Sequence, residues 1–85
     1  MSVLEPLWMT EGAWETIGDQ VVGPAAAEAG RTGAADAVEL AALEMVWREA
    51  THDGARVAVW ISPRTGATLA GLLDAHPELA GLLAG

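Results

Sequence analysis

One segment of this chain has the pattern of a buried β-strand, and the rest of the sequence offers no second segment of comparable clarity. Side chains alternate between the two sides of a strand. One side of residues 56–61 would carry Val57, Val59 and Ile61, and the other Arg56, Ala58 and Trp60. Because a lone strand leaves its backbone N–H and C=O groups unpaired, it requires a mate. The N-terminal arm and a strand of another chain are the two candidates.

The remainder of the sequence has helical periodicity, and its 85 residues are enough for one domain. We therefore expect a single small α+β domain over residues 1–85, mainly helical, with about four helices and one strand at 56–61. Residues 1–9 contain Pro6, which a regular helix does not tolerate in its interior, so we expect an extended arm there.

Glycine, proline and capping residues divide the helical part of the chain. Thr10 is a candidate N-cap, and Gly23-Pro24 is expected to end the helix that follows it. Gly30-Arg31-Thr32-Gly33 is predicted to be a connector, and residues 62–66 a turn. The expected helical ranges are about 11–22, one or two turns within 24–29, then 34–51, 67–75 and 77–84.

The predicted helix over 34–51 is apolar on two sides. One stripe contains Leu40, Leu43, Trp47 and Ala50, and the other contains Val38, Ala41, Ala42, Met45 and Glu49. Such a helix is either more fully buried than a surface helix or contacts two neighbours. The predicted core consists of Trp14, Ile17, Val21, Val38, Leu40, Leu43, Met45, Trp47, Val57, Val59, Ile61, Leu69, Leu72, Leu73, Leu79, Leu82 and Leu83.

Charge and composition exclude several classes of function. The chain has four arginines, no lysine and twelve acidic residues, which give a net charge of −8. Because nucleic acids and anionic membranes attract positive charge, we expect this chain to bind neither. The absence of cysteine excludes disulfides and thiolate chemistry. No signal peptide is evident, so a cytoplasmic protein or a virion component is expected. The many alanines and glycines, with arginine in place of lysine, are typical of a GC-rich bacterial or phage genome.

Few residues could carry chemistry, and we expect no catalytic, cofactor or metal site. His76 and Glu78 have the His-x-Glu spacing of zinc deaminases, but the cysteine half of that motif is absent. Neither serine has a nucleophile-elbow motif around it. The segment Gly30, Arg31, Thr32 and Gly33 precedes a predicted helix N-terminus and is a weak candidate for anion binding.

The composition therefore favours a non-catalytic protein–protein interaction module, such as a small subunit, an assembly factor or a virion structural component. Its partner would be a second copy or another protein in a larger complex. Leu7, Trp8 and Trp60 are the candidate contact residues, because tryptophan is enriched at interface hot spots. One alternative is an acidic, antitoxin-like inhibitor of a basic partner, using Glu11, Glu15 and Asp19. Another is a small anion-binding or accessory enzyme domain.

Overall fold

A computed structural model describes residues 3–84, which form three strands and four helical bodies. The first body is a continuous helix in which a π-helical segment joins α1 to α2. The elements are β1 (Glu5–Thr10), α1 (Glu11–Ile17), the π segment (Gly18–Val22), α2 (Gly23–Thr32), α3 (Ala37–Arg48), β2 (Thr51–Asp53), β3 (Arg56–Ile61), α4 (Pro63–Asp74) and α5 (Pro77–Ala84). The predicted α+β, mainly helical class is confirmed, whereas the prediction of a single strand is wrong.

The strand predicted at 56–61 lies in the centre of an antiparallel sheet with the order β1-β3-β2. Its mate is the N-terminal arm, which pairs from Glu5 opposite Ile61 to Thr10 opposite Arg56. Residues 1 and 2 of the predicted arm lie outside the described residues. Pairing within the chain therefore satisfies one side of the central strand without a second protein.

The second mate, β2, was missed because its three exposed residues follow a strong helical pattern directly. The prediction placed Thr51 at the end of a helix and Asp53 in a closing turn. The helix instead ends at Arg48, and the chain returns through a two-residue hairpin turn, Gly54-Ala55. Gly54 has φ 64°, a left-handed conformation that glycine adopts without strain. Glycine at the first of the two loop positions is what a type II′ hairpin turn requires, which explains this turn.

Gly23-Pro24 does not end the first helix, contrary to the prediction. In a regular α-helix the Pro24 ring would clash with the carbonyl four residues earlier. The π segment lies immediately before it, and the Gly23 N–H donates to the carbonyl of Gly18, five residues back. This wider turn accommodates the proline, so the helix continues to Thr32 and ends at Gly33, which has φ 67°.

The last two helices differ in how well the sequence predicted them. The range expected for the final helix, 77–84, agrees with α5. The preceding helix begins four residues before the predicted 67, because Ser62 caps it and Pro63 occupies its first turn. The Ser62 hydroxyl accepts a hydrogen bond from the Thr65 N–H at 3.2 Å.

The core lies between the helices and one face of the sheet, which carries Leu7, Met9, Val57, Val59 and Ile61. Most of the predicted core is buried or packs against buried residues. The prediction is wrong for three residues, whose side chains are exposed: Val38 (78%), Met45 (62%) and Leu82 (41%). It also missed five buried residues, namely Met9, Ala13, Val22, Ala29 and Ala58. No helix within residues 3–84 is long and apolar enough to cross a membrane.

Candidate interaction surfaces

The face of the sheet that points away from the helices carries the first candidate surface, which we call the outer face. Alternation along the paired strands assigns eight residues to it. They are Pro6, Trp8, Thr10, Thr51, Asp53, Arg56, Ala58 and Trp60. All of them except Ala58 are exposed, so no other element within residues 3–84 covers this face.

Two indoles, Trp8 and Trp60, dominate the outer face, and we call them the outer tryptophan pair. The register places Trp8 opposite Ala58 and Trp60 opposite Pro6, which makes the two tryptophans diagonal neighbours on adjacent strands. Trp8 is 38% exposed and Trp60 is 42% exposed. The two predicted contact residues are therefore brought together on one surface.

Neighbouring side chains hold both outer indoles in place. The Arg56 guanidinium carbon lies 4.9 Å from the centroid of the Trp8 ring, within the range of a cation–π interaction. The Trp60 Nε1 donates a hydrogen bond of 3.3 Å to the Thr51 hydroxyl. A partner would thus meet partly ordered rings, which reduces the conformational entropy lost on binding.

The outer face is also close to neutral in a strongly acidic molecule. It carries one positive residue, Arg56, and one negative residue, Asp53, while the whole chain has a net charge of −8. Val3 and Leu4, which directly precede β1, are also exposed. Leu7, predicted to act with Trp8, lies on the opposite face and packs against the core.

The other two tryptophans, Trp14 and Trp47, form an inner tryptophan pair that joins α1 to α3. The Trp14 Nε1 donates to the Trp47 carbonyl at 2.9 Å, and the Trp47 Nε1 donates to the Trp14 carbonyl at 3.0 Å. Gly18 makes this possible, since a Cβ atom there would lie 2.8 Å from the Trp47 Nε1. No local sequence signal predicts a contact between residues 33 positions apart.

A groove of about 250 Å³ lies beside the inner pair, between the π segment and α3. Glu15 and Asp19 line it from one helix, and Glu44 and Arg48 from the other. Two of the three residues in the predicted acidic stripe therefore border a concave surface. The third, Glu11, is exposed at the start of α1 and does not line the groove.

Gly30–Gly33, the candidate anion site, lies at a helix C-terminus and not, as predicted, before a helix N-terminus. Its first three residues form the last turn of α2, and Gly33 caps the C-terminal end of that helix. A helix C-terminus carries a partial negative charge, which disfavours anions. Arg31 forms an ion pair with Glu28, and the Thr32 hydroxyl donates to the Glu28 carbonyl at 3.0 Å. These residues are a helix end, and the basis for predicting anion binding is lost.

The residues considered for catalysis or metal binding do not form a common site, and several of them already contact other side chains or cap a helix. The ring centroids of His52 and Trp14 lie 4.9 Å apart, and the two rings meet edge to face. The Nδ1 of His76 lies 3.8 Å from a carboxylate oxygen of Glu78. Ser62 serves as a helix cap, whereas Ser2 lies outside the described residues. Within residues 3–84, no group of three or more histidines and acids could hold a metal ion.

A third surface was visible in the sequence but misinterpreted as core. The stripe of α3 that contains Val38, Ala41, Ala42 and Met45 faces solvent, and all four residues are exposed. The opposite stripe, with Leu43 and Trp47, is buried. The two-sided apolar pattern therefore did not predict burial on both sides, since no element within residues 3–84 covers this stripe.

Comparisons with protein-family models, with curated proteins and with solved structures find no match to this chain. The surfaces described above are therefore the basis for proposing a function.

Proposed function

We propose that this protein is a non-catalytic protein–protein interaction module that docks through the outer face of its sheet. One observation carries the proposal: the outer tryptophan pair, Trp8 and Trp60, occupies diagonal positions on a sheet face that no other described element covers. Folded domains bury tryptophan where packing allows, and this domain buries Trp47 and half-buries Trp14. Two indoles on an open face are the kind of surface that a second protein covers.

Covering the outer tryptophan pair would release enough free energy for a binding hot spot. The exposed part of each indole amounts to roughly 100 Å², and covering it would contribute roughly 2 kcal/mol. Tryptophan and arginine are the residue types most enriched among hot spots, and Arg56 stacks on Trp8. A small subunit, an assembly factor or a virion component would use such a face, with a second copy or another protein as the partner.

The flatness and charge of the face favour a protein ligand over other classes. Small molecules bind in concave sites that enclose most of their surface, whereas this face is one side of a three-stranded sheet. Nucleic acids require an excess of positive charge, which this face and the whole chain lack. Depletion of charge at the centre is typical of protein–protein interfaces.

Site-specific photo-crosslinking in the cells that produce the protein tests the proposal. A photo-reactive amino acid is placed at Thr51, on the outer face, or at Thr32, which is exposed at the end of α2 and serves as the control. We expect a discrete crosslinked product from position 51 that disappears in the Trp8→Ala/Trp60→Ala variant. The mass of the product distinguishes a second copy from another protein. Equal products from both positions, or a product that survives the double substitution, would contradict the proposal.

A further inference from the structure

The groove beside the inner tryptophan pair has an aromatic floor and an acidic rim. Trp14 and Trp47 lie at its base, with Val22 and two glycines of the helix around them. Trp47 is only 4% exposed, so the half-buried Trp14 supplies the accessible ring surface. Glu15 and Asp19, both exposed, line the groove from the first helix. The groove thus combines an apolar base with an edge of negative charge.

The hydrogen-bonding groups of the groove define the chemistry of what it can hold. Both indole N–H groups are already used, each by the carbonyl of the other tryptophan. The carboxylates of Glu15, Asp19 and Glu44 are acceptors only. The one cation in the lining, Arg48, lies 3.5 Å from Glu44 and offsets that charge. The groove lining therefore has an excess of negative charge, and a ligand must supply the hydrogen-bond donors.

We infer that this groove binds an arginine or lysine side chain from a basic segment of a partner protein. The aliphatic stem of such a side chain suits the apolar base, and its charged end suits the carboxylates. A guanidinium offers five N–H donors on a plane that can also stack on an indole. The groove is a different surface from the outer face, so either site can exist without the other.

Charge complementarity favours a basic partner over a second copy of this chain. Each copy carries a net charge of −8, so a second chain would bring repulsion to an already acidic rim. A basic segment is instead attracted by the field of the whole molecule, which also speeds its approach. Binding should therefore weaken steeply as salt is added.

An octa-arginine peptide is a suitable probe, and NMR of the ¹⁵N-labelled protein is the measurement. The indole N–H signal of Trp14 reports directly on the base of the groove. The test variant Glu15→Gln/Asp19→Asn removes two rim charges. The control Glu5→Gln/Asp74→Asn removes two exposed carboxylates that do not line the groove, and so matches the overall charge. A third variant, Arg48→Gln, removes the competing cation.

We expect the peptide to shift the Trp14 indole signal, and the rim variant to weaken binding about fivefold or more. The charge-matched control should change the affinity by less than about twofold, and Arg48→Gln should strengthen binding. Equal weakening in the rim and control variants would overturn the inference, because it would mean attraction by net charge alone. Shifts confined to the outer face, or weaker binding in Arg48→Gln, would overturn it as well.

Discussion

The four tryptophans divide into two pairs that the fold treats in opposite ways. In the inner pair, each indole N–H is bonded to the backbone of the other tryptophan, and Trp47 is almost completely buried. In the outer pair, a cation–π contact and one hydrogen bond to a hydroxyl hold the rings, and about two-fifths of each side chain remains exposed. The comparison separates a tryptophan that holds the domain together from one that is available to a partner.

The largest effect should come from removing a ring of the inner pair. Trp47→Ala leaves a cavity between α1 and α3 and deletes the hydrogen bond that the Trp47 Nε1 donates to the Trp14 carbonyl. We expect a loss of about 3–5 kcal/mol in the free energy of unfolding, measured by urea denaturation. Trp60→Ala is the matched control and should cost about 1 kcal/mol, since much of that ring is already exposed. Similar costs at the two positions would remove the distinction between the pairs.

The inner pair should also depend on the glycine beneath it. In Gly18→Ala the new methyl group would lie 2.8 Å from the Nε1 of the Trp47 indole, a buried ring that is held in place by its hydrogen bond to the Trp14 carbonyl. The expected cost is about 1–3 kcal/mol. Gly12→Ala, in the same helix but with nothing within 4 Å of the new Cβ, should be neutral or stabilise by up to about 1 kcal/mol. A neutral Gly18→Ala would mean that the indole does not cross the helix at this point.

The outer pair should respond to the hairpin turn that positions β2. Gly54→Ala places a side chain in a left-handed conformation and should cost about 1–2 kcal/mol. Gly71→Ala, in α4 with open space around it, serves as the control and should not destabilise. Because β2 carries Thr51, we also expect faster hydrogen exchange at the Trp60 indole in Gly54→Ala. Unchanged exchange there would show that the hairpin does not order the ring.

The smallest effect on stability should come from the single hydrogen bond to Trp60. Thr51→Val removes the acceptor but keeps the shape of the side chain. Since the bond is exposed, the free energy of unfolding should change by less than about 0.5 kcal/mol. The indole N–H signal of Trp60 should nevertheless move in the NMR spectrum, whereas Thr51→Ser should leave it nearly in place. A large loss of stability in Thr51→Val would make this bond structural, like those of the inner pair.

Hydrogen-bond requirements predicted a strand pairing that periodicity alone does not predict. The strand at 56–61 needed a mate, and the arm with Pro6 provides it. The π segment was not predictable from local rules, because Gly-Pro normally ends a helix. The outward stripe with Val38 and Met45 was assigned to the core because an apolar pattern alone does not reveal which side of a helix is buried.

The candidate surfaces were predicted in part, for similar reasons. Alternation along one strand was enough to place Trp60 away from Val57 and Val59. Placing Trp8 beside it required the register of β1, which the sequence alone does not specify. The groove at Glu15 and Asp19 depends on α3 packing against the π segment, and that contact joins residues far apart in the chain.

Oxidative footprinting of all four tryptophans, in the purified protein and in the cells that produce it, tests the central claim most directly. In dilute purified protein, mass spectrometry should find Trp8 and Trp60 oxidised faster than Trp14 and Trp47. In cells we expect Trp8 and Trp60 to become protected, while the exposed Met45 stays reactive as an internal control. If the outer pair reacts in cells as it does in the purified protein, the outer face is not a docking surface.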